Sequence, residues 1–250
     1  MLNHRHPHHP KPKILVIVPA YNEEEGIEQV ILSLKRYTPY ADIVVINDGS
    51  TDDTGVIAER AGAAVLHLSC NLGIGGAVQT GYRYAAENGY DYAVQIDGDG
   101  QHNPADLNKL LNTIQESGAD MVVGSRFIEK EGFQSTFTRK LGIDLLAGLV
   151  TRVTGKRITD PTSGYRLCGR RAIALFAQHY PTDYPEVEAL VLLDNYHLTF
   201  KETPVIMLER QGGVSSISPL KSIYYMTKVI LAVLIMKTKK KKVWEMSHDA

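Results

Sequence analysis

Tyr92-Ala93-Val94-Gln95-Ile96 runs straight into Asp97-Gly98-Asp99-Gly100-Gln101-His102-Asn103-Pro104, and this junction sets the architecture of the chain. The apolar run reads as a short buried strand. Residues i and i+2 of a strand share a side, so Asp97 and Asp99 face one point. Glycine after each carboxylate lets the backbone turn sharply and approach a ligand. Asn103 then caps, and Pro104 opens, a helix. Two carboxylates at a strand end, with Gln101 beside them, make a hard-oxygen site suited to Mg²⁺ or Mn²⁺ and completed by substrate phosphates. A solvated acidic turn fits the same residues. An EF-hand does not: counted from Asp97, loop position six should be Gly and position twelve Glu, and these are His102 and Asn108.

The same strand-then-turn unit recurs toward the amino terminus. Ile14-Leu15-Val16-Ile17-Val18 is a continuous apolar run, the pattern of a strand buried on both faces. Pro19-Ala20-Tyr21-Asn22-Glu23 follows it, with Asn22 expected to cap a helix whose apolar positions are Ile27, Val30, Ile31 and Leu34. Ile43 to Ile46 forms a second strand before the polar turn Asn47-Asp48-Gly49-Ser50-Thr51-Asp52. Val65 to Leu68 forms a third, before Asn71-Leu72-Gly73-Ile74-Gly75-Gly76 and a helix reaching Glu87. Gly73-Ile-Gly75 lacks the third glycine of a dinucleotide fingerprint, since position 78 is Val. Helix–strand packing is the expected role of these glycines.

Beyond the acidic turn come a helix carrying Leu107, Leu110, Leu111 and Ile114, and a strand Met121 to Gly124 that ends in Ser125-Arg126-Phe127. Strand and helix alternating at this spacing predict an α/β fold with a mostly parallel sheet flanked by helices. Ligands of such sheets bind at the carboxyl ends of the strands. After Phe127 the pattern changes. Leu141 to Val153 reads as a core helix or one facing a membrane, Arg170 to His179 as a helix, and Phe200 to Arg210 as an extended pair around Pro204.

Composition is that of a globular protein: 44% apolar, 22% charged, net charge −1 over 250 residues. The charge is unevenly placed. Positions 221–242 hold seven lysines and no acid, leaving 20 basic against 28 acidic residues elsewhere. A basic tail on an acidic body points to an anionic surface as partner. Nucleic acid is disfavoured, because the body has no basic stripe with interleaved aromatics. Ile223 to Met236 is too short for a bilayer span, which needs about 20 apolar residues, but suits an amphipathic interfacial helix. A partner protein or a second copy of the chain is the other surface it fits. Cys70 and Cys168 give no disulfide framework. The polar start lacks the apolar core of a secretory signal. Residues 1–12, rich in His and Pro, are expected to be disordered, 13–216 to form the catalytic domain, and 217–250 a basic tail binding a membrane or partner.

Six motifs in order now carry a resemblance: Val18 to Glu23, Asn47 to Asp52, Asn71 to Gly76, Asp97 to Pro104, Gly124 to Phe127 and Asp160-Pro161-Thr162-Ser163-Gly164-Tyr165-Arg166. Together they resemble family 2 glycosyltransferases of GT-A fold, and within them the polyprenyl-phosphate sugar transferases of the dolichol-phosphate mannose synthase group. The resemblance implies that Pro19, Tyr21, Glu23 and Asp48 line a nucleotide pocket, and that Asp97, Asp99 and Gln101 hold Mg²⁺ or Mn²⁺ on the diphosphate. It implies that Arg126 and Arg139 grip the acceptor phosphate and that Arg210 contacts donor phosphates. Asp97, Asp99, Arg126 and Arg139 are thus the expected catalytic set.

The implied activity is inverting transfer of a sugar from a nucleotide sugar to undecaprenyl or dolichyl phosphate. UDP-glucose or UDP-N-acetylglucosamine is favoured over GDP-mannose. The implied place is the cytoplasmic face of a membrane, bound peripherally, with a small membrane protein or a homo-oligomer as further partners. A lipid phosphate is already anionic and needs no general base, only charge compensation. The alternative is transfer to a saccharide or protein hydroxyl in cell-envelope synthesis, with Glu186 or Glu188 as base.

Overall fold

The computed structural model describes residues 11–129, 131, 137–208 and 219–238. Among these residues seven strands form one sheet: β1 (Ile14–Ala20), β2 (Asp42–Asn47), β3 (Ala64–His67), β4 (Tyr92–Gln95), β5 (Met121–Ser125), β6 (Arg166–Gly169) and β7 (Phe200–Pro204). Their order is β3-β2-β1-β4-β6-β5-β7. All pairings are parallel except those of β6, which runs against both β4 and β5.

Alternation along the strands divides the apolar side chains between two layers. Ile14, Val16 and Val18 of β1 face α1 (Ile27–Tyr37) and α4 (Leu107–Ser117). Leu15 and Ile17 face α3 (Gly73–Glu87), α6 (Arg170–Gln178) and α7 (Pro185–Asn195). On that second side α5 (Phe137–Thr154) and α8 (Pro219–Thr238) also add residues to the core. A short α2 (Thr54–Arg60) completes the set. Gly81 of α3 lets the helix lie close on β1: a methyl group there would come 2.3 Å from Ile17 Cγ2.

Strand ends meet at one rim. Ala20 pairs with Asn47, Ile17 with Gln95, and Gln95 with Arg166. Reversal of β6 is what brings the preceding turn, Asp160 to Tyr165, to the rim where β1, β2, β4 and β5 end.

Three local expectations are corrected. α1 begins at Ile27, not after Asn22. Asn22 takes a positive φ of 54° and its side chain accepts the Thr51 N–H at 2.9 Å, so it caps the neighbouring turn instead. β7 is one strand ending at Pro204, not an extended pair. The following residues bind back to the acidic turn: Ile206 N–H donates to Asp106 Oδ2 at 2.8 Å and Leu208 N–H to the Gln101 carbonyl at 2.9 Å. Helix α7 was not expected. Val187, Ala189, Leu190, Val191 and Leu193 are all buried, so no apolar stripe marks it in the sequence.

Helix α8 is docked on the body. Val229 and Val233 are buried, Lys237 Nζ donates to the Val153 carbonyl at 2.6 Å, and Leu231, Leu234 and Ile235 are exposed. No helix among the described residues is long and apolar enough to cross a membrane. The His-rich start, Arg210 with the Gly212–Ser216 run, and Lys239 to Trp244 lie outside the described residues.

Candidate active site

At the rim lies a cleft of about 350 Å³ lined by residues from Pro19 to Asp99, among them Tyr21, Asn71, Gly73 and Ile74. Among the described residues Glu23, Asp48, Asp97 and Asp99 are its four carboxylates, and no Lys or Arg lines it. The expected nucleotide residues Pro19, Tyr21, Glu23 and Asp48 therefore share one cleft with the expected metal carboxylates. Gln101 follows at the turn, half-buried, and its backbone N–H donates to Asp99 Oδ1 at 3.0 Å.

Asp97 is held from several sides. Gln95 Nε2 donates to its Oδ1 at 2.9 Å. Its own backbone N–H donates to His102 Nδ1 at 3.1 Å, so His102 carries its proton on Nε2, 3.7 Å from Asp97 Oδ2. His102 is buried and stacks on Tyr165 with ring centroids 5.0 Å apart. Gly164 closes the other side: a Cβ there would sit 2.9 Å from Asp97 Oδ2. Such supports orient a metal-binding carboxylate before any ion arrives. Among the described residues no three His, Cys, Asp or Glu side chains gather into a metal site of their own. The donor set that remains, two hard carboxylates on one cleft wall, fits an ion whose coordination a diphosphate completes.

Asp48 shapes the opposite wall. It is buried at the end of β2, and its two oxygens accept the N–H groups of Leu72 and Gly73 at 2.7 and 2.9 Å. That pins the start of α3 to the cleft. Gly73 has a φ of 77°, which only glycine adopts without strain. The expected packing role of the glycines holds for Gly75, where a Cβ would come within 2.4 Å of the Pro181 and Thr182 carbonyls, but Gly73 lines the cleft itself.

Arg126 has a different setting from an open phosphate grip. It is buried, with Nε 2.6 Å from Asp160 Oδ2 and Nη2 2.7 Å from Asp160 Oδ1. Nη2 also donates to Thr162 at 2.9 Å. Asp160 is tied in turn, its N–H donating to Glu202 Oε1 at 2.8 Å. Burial raises the Glu202 carboxyl above its ordinary range, against the hydrogen bonds from Asp160 and Thr159. Arg139 is exposed on the first turn of α5.

Sequence reasoning missed His102, Gln95, Gly164 and Asp160 as supports. One signal was legible: each lies within two residues of a motif that the resemblance uses, or inside one.

A mostly parallel sheet whose carboxyl rim holds an acidic, nucleoside-sized cleft and a strand-end carboxylate pair defines the GT-A class of transferase. Residues 15–176 match the family model Glycosyl transferase family 2. The chain belongs to that family and is a glycosyltransferase. It is 31% identical over 219 residues to the polyprenol monophosphomannose synthase of Mycolicibacterium smegmatis, covering 84% of this chain and 82% of that protein. It is 33% identical over 221 residues to the undecaprenyl-phosphate mannosyltransferase of Micrococcus luteus, covering 82% and 88%. It is 32% identical over 213 residues to the UDP-N-acetylglucosamine–dolichyl-phosphate N-acetylglucosaminyltransferase of Methanococcus voltae, covering 77% and 84%. Glucosyl-3-phosphoglycerate synthase of Mycobacterium tuberculosis, solved with Mn²⁺ and UDP, shares the fold: TM-score 0.68 at 22% identity, covering 93% of this chain and 82% of that one.

Proposed function

We propose that this protein moves a hexose from a nucleotide sugar to a polyprenyl phosphate, with inversion at the anomeric carbon. The observation that carries the reading is the charge of the cleft: among the described residues four carboxylates line it and no basic side chain does. A nucleotide diphosphate entering there meets like charge and needs a divalent cation between. Asp97 and Asp99 would hold Mg²⁺ or Mn²⁺, with Gln101 completing the protein's share. The ion supplies charge neutralisation on the departing diphosphate. Pro19, Tyr21, Glu23 and Asp48 seat the nucleoside, and Arg210 supports the donor phosphates.

The acceptor phosphate oxygen forms the new bond to the anomeric carbon as the bond from that carbon to the diphosphate oxygen breaks. The electron pair leaves with the nucleotide. No proton has to be removed from the acceptor. Arg139 on α5 faces the acceptor phosphate. Arg126, fixed by Asp160, adds its charge to that side and holds the wall in shape. The exposed Leu231, Leu234 and Ile235 of α8, in a stretch whose sequence is rich in lysine, fit a membrane surface that presents the lipid. Each lysine near an anionic leaflet adds on the order of 1 kcal/mol.

The names of the relatives divide between mannose and N-acetylglucosamine, so the donor is read from a panel. UDP-glucose, UDP-N-acetylglucosamine and GDP-mannose are offered with polyprenyl phosphate in vesicles, with Mn²⁺ and with chelator. Transfer of one sugar to lipid, lost with chelator and in Asp99→Ala, supports the reading. Full transfer by Asp99→Ala, or with chelator, ends it. A sugar hydroxyl acceptor used in preference to the lipid replaces the acceptor assignment.

A further inference from the structure

We propose that Arg166, the first residue of β6, is a positioning residue for metal-dependent transfer: it clamps the turn before it, and through Gly164 of that turn it fixes the Asp97 carboxylate. The inference rests on the transferase reading above and adds a residue from outside the cleft lining.

Geometry is the first argument. Arg166 is 1% exposed, and its side chain folds back on the turn that leads into it. Nε donates to the Ser163 carbonyl at 2.8 Å and Nη2 to the Pro161 carbonyl at 3.0 Å. A guanidinium presents these donors in one rigid plane, so the two carbonyls are held at a fixed spacing. The Ser163 carbonyl carbon is bonded to the Gly164 nitrogen, and the peptide unit is planar. Fixing that oxygen therefore fixes the Gly164 Cα. Gly164 is pressed against the carboxylate: a Cβ there would lie 2.9 Å from Asp97 Oδ2, 3.3 Å from Asp97 Oδ1 and 3.1 Å from Gln95 Nε2. Gln95 is also the strand partner of Arg166 and donates to Asp97 Oδ1 at 2.9 Å. The residue between continues the brace. Tyr165 stacks on His102, and its hydroxyl donates to the Asn103 carbonyl at 3.1 Å. One turn thus backs the acidic loop at Asp97, His102 and Asn103, and Arg166 sets the shape of that turn.

Energetics is the second argument. Both partners of the guanidinium are neutral carbonyls, and Nη1 is buried with no hydrogen-bond partner among the described residues. A buried cation with an unpaired donor works against stability. Cys168, two residues on and on the same face of β6, belongs to the apolar core. Replacing a buried charge in such a place by a well-packed apolar side chain is often neutral or stabilising, so stability alone does not account for an arginine here. Arg126 differs: at the far end of the same turn it meets a carboxylate, Asp160. The turn is therefore gripped by a buried arginine at each end. One grip is a charge pair; the other secures the placing of Gly164 against Asp97.

The test uses the full chain with Arg166→Lys, Arg166→Gln, Gly164→Ala and the double variant Gly164→Ala/Arg166→Lys. Melting temperatures are recorded first. Binding of UDP and of GDP is then measured by calorimetry with Mn²⁺ and with chelator, followed by kcat and donor KM. A side chain that only stabilised the fold would weaken both kinds of binding together. The proposal expects binding without metal to be unchanged. It expects Mn²⁺-dependent binding and kcat/KM to fall about 10- to 100-fold in Arg166→Lys, because an ammonium cannot hold both carbonyls. The double variant should lose no more than Gly164→Ala alone, since both changes act on one contact. Equal Mn²⁺-dependent binding by Arg166→Lys and the unmodified chain overturns the proposal. So does a parallel loss of binding without metal, and so do losses that multiply in the double variant. Failure of both Arg166 variants to fold makes Arg166 a residue of stability alone and overturns it too. If the unmodified chain binds neither nucleotide more tightly with Mn²⁺, the metal reading itself falls, and the role of Arg166 with it.

Discussion

Arg126 and Asp160 face each other as a fork, Nε to Oδ2 at 2.6 Å and Nη2 to Oδ1 at 2.7 Å, with the side chains 7% and 0% exposed. The pair joins the end of β5 to the turn that precedes β6, so it braces one wall of the rim.

Removing one partner of a buried fork leaves the other charge stranded. Asp160→Asn is expected to lower unfolding free energy by about 3–5 kcal/mol, the usual cost of breaking a buried pair. Arg126→Lys should also be destabilising, because an ammonium cannot make the parallel bonds. Urea unfolding of both variants checks this. A midpoint for Asp160→Asn equal to that of the unmodified chain would show that the fork does not brace the wall.

Gly164→Ala tests the support of Asp97. The added methyl would come within 2.9 Å of Asp97 Oδ2 and 3.1 Å of Gln95 Nε2, both movable side-chain atoms. The fold should therefore survive while the carboxylate shifts. A displacement near 1 Å at a reacting centre costs about a hundredfold in rate, and transfer by Gly164→Ala should fall on that scale. Mn²⁺-dependent nucleotide binding should weaken in parallel, read by calorimetry. Unaltered binding and turnover would mean that Asp97 needs no such confinement.

Asp91 makes the acid side of stability measurable. Burial would raise its carboxyl, but the Lys13 N–H and Arg170 outweigh that and hold it below the ordinary range. The bonds are Lys13 N–H to Oδ2 at 2.7 Å and Arg170 Nε to Oδ1 at 2.9 Å. A depressed carboxylate stabilises the fold above its unfolded value of about 3.9. That contribution is lost as pH falls through the lower folded value. Asp91→Asn should lose about 1 kcal/mol at pH 7. Its deficit should shrink as pH drops below about 4. Urea midpoints of both proteins between pH 7 and pH 3 give the answer, and a deficit that stays constant would contradict it.

The parts legible in the sequence share a cause. β1 is an unbroken apolar run buried at all seven positions, and α4 shows the stripe Leu107, Leu110, Leu111 and Ile114 with a left-handed Gly118 at its end. In both, the period of the pattern matches the period of the element. The acidic turn was legible because Asp97 and Asp99 alternate with glycine, and the Asn103 cap forms as expected, accepting the Ala105 N–H at 3.2 Å. Helix α7 was hidden because it is apolar nearly all round. The partners of Asp97 and Arg126 were hidden for another reason: Gly164 and Asp160 meet them only after β6 reverses. Long-range antiparallel pairing leaves no local periodicity to read. Asn22 misled because a residue suited to capping serves a neighbouring turn as readily as its own helix.

Among the described residues, those lining the cleft come from the first 99 positions, while the fork and the turn beneath Gly164 come from beyond position 120. The acidic cleft and the braced wall beside it are thus built by successive stretches of one polypeptide. On the function proposed here, exchanging the later stretch between relatives is expected to alter the acceptor side and to spare the nucleoside seat of Pro19, Tyr21, Glu23 and Asp48.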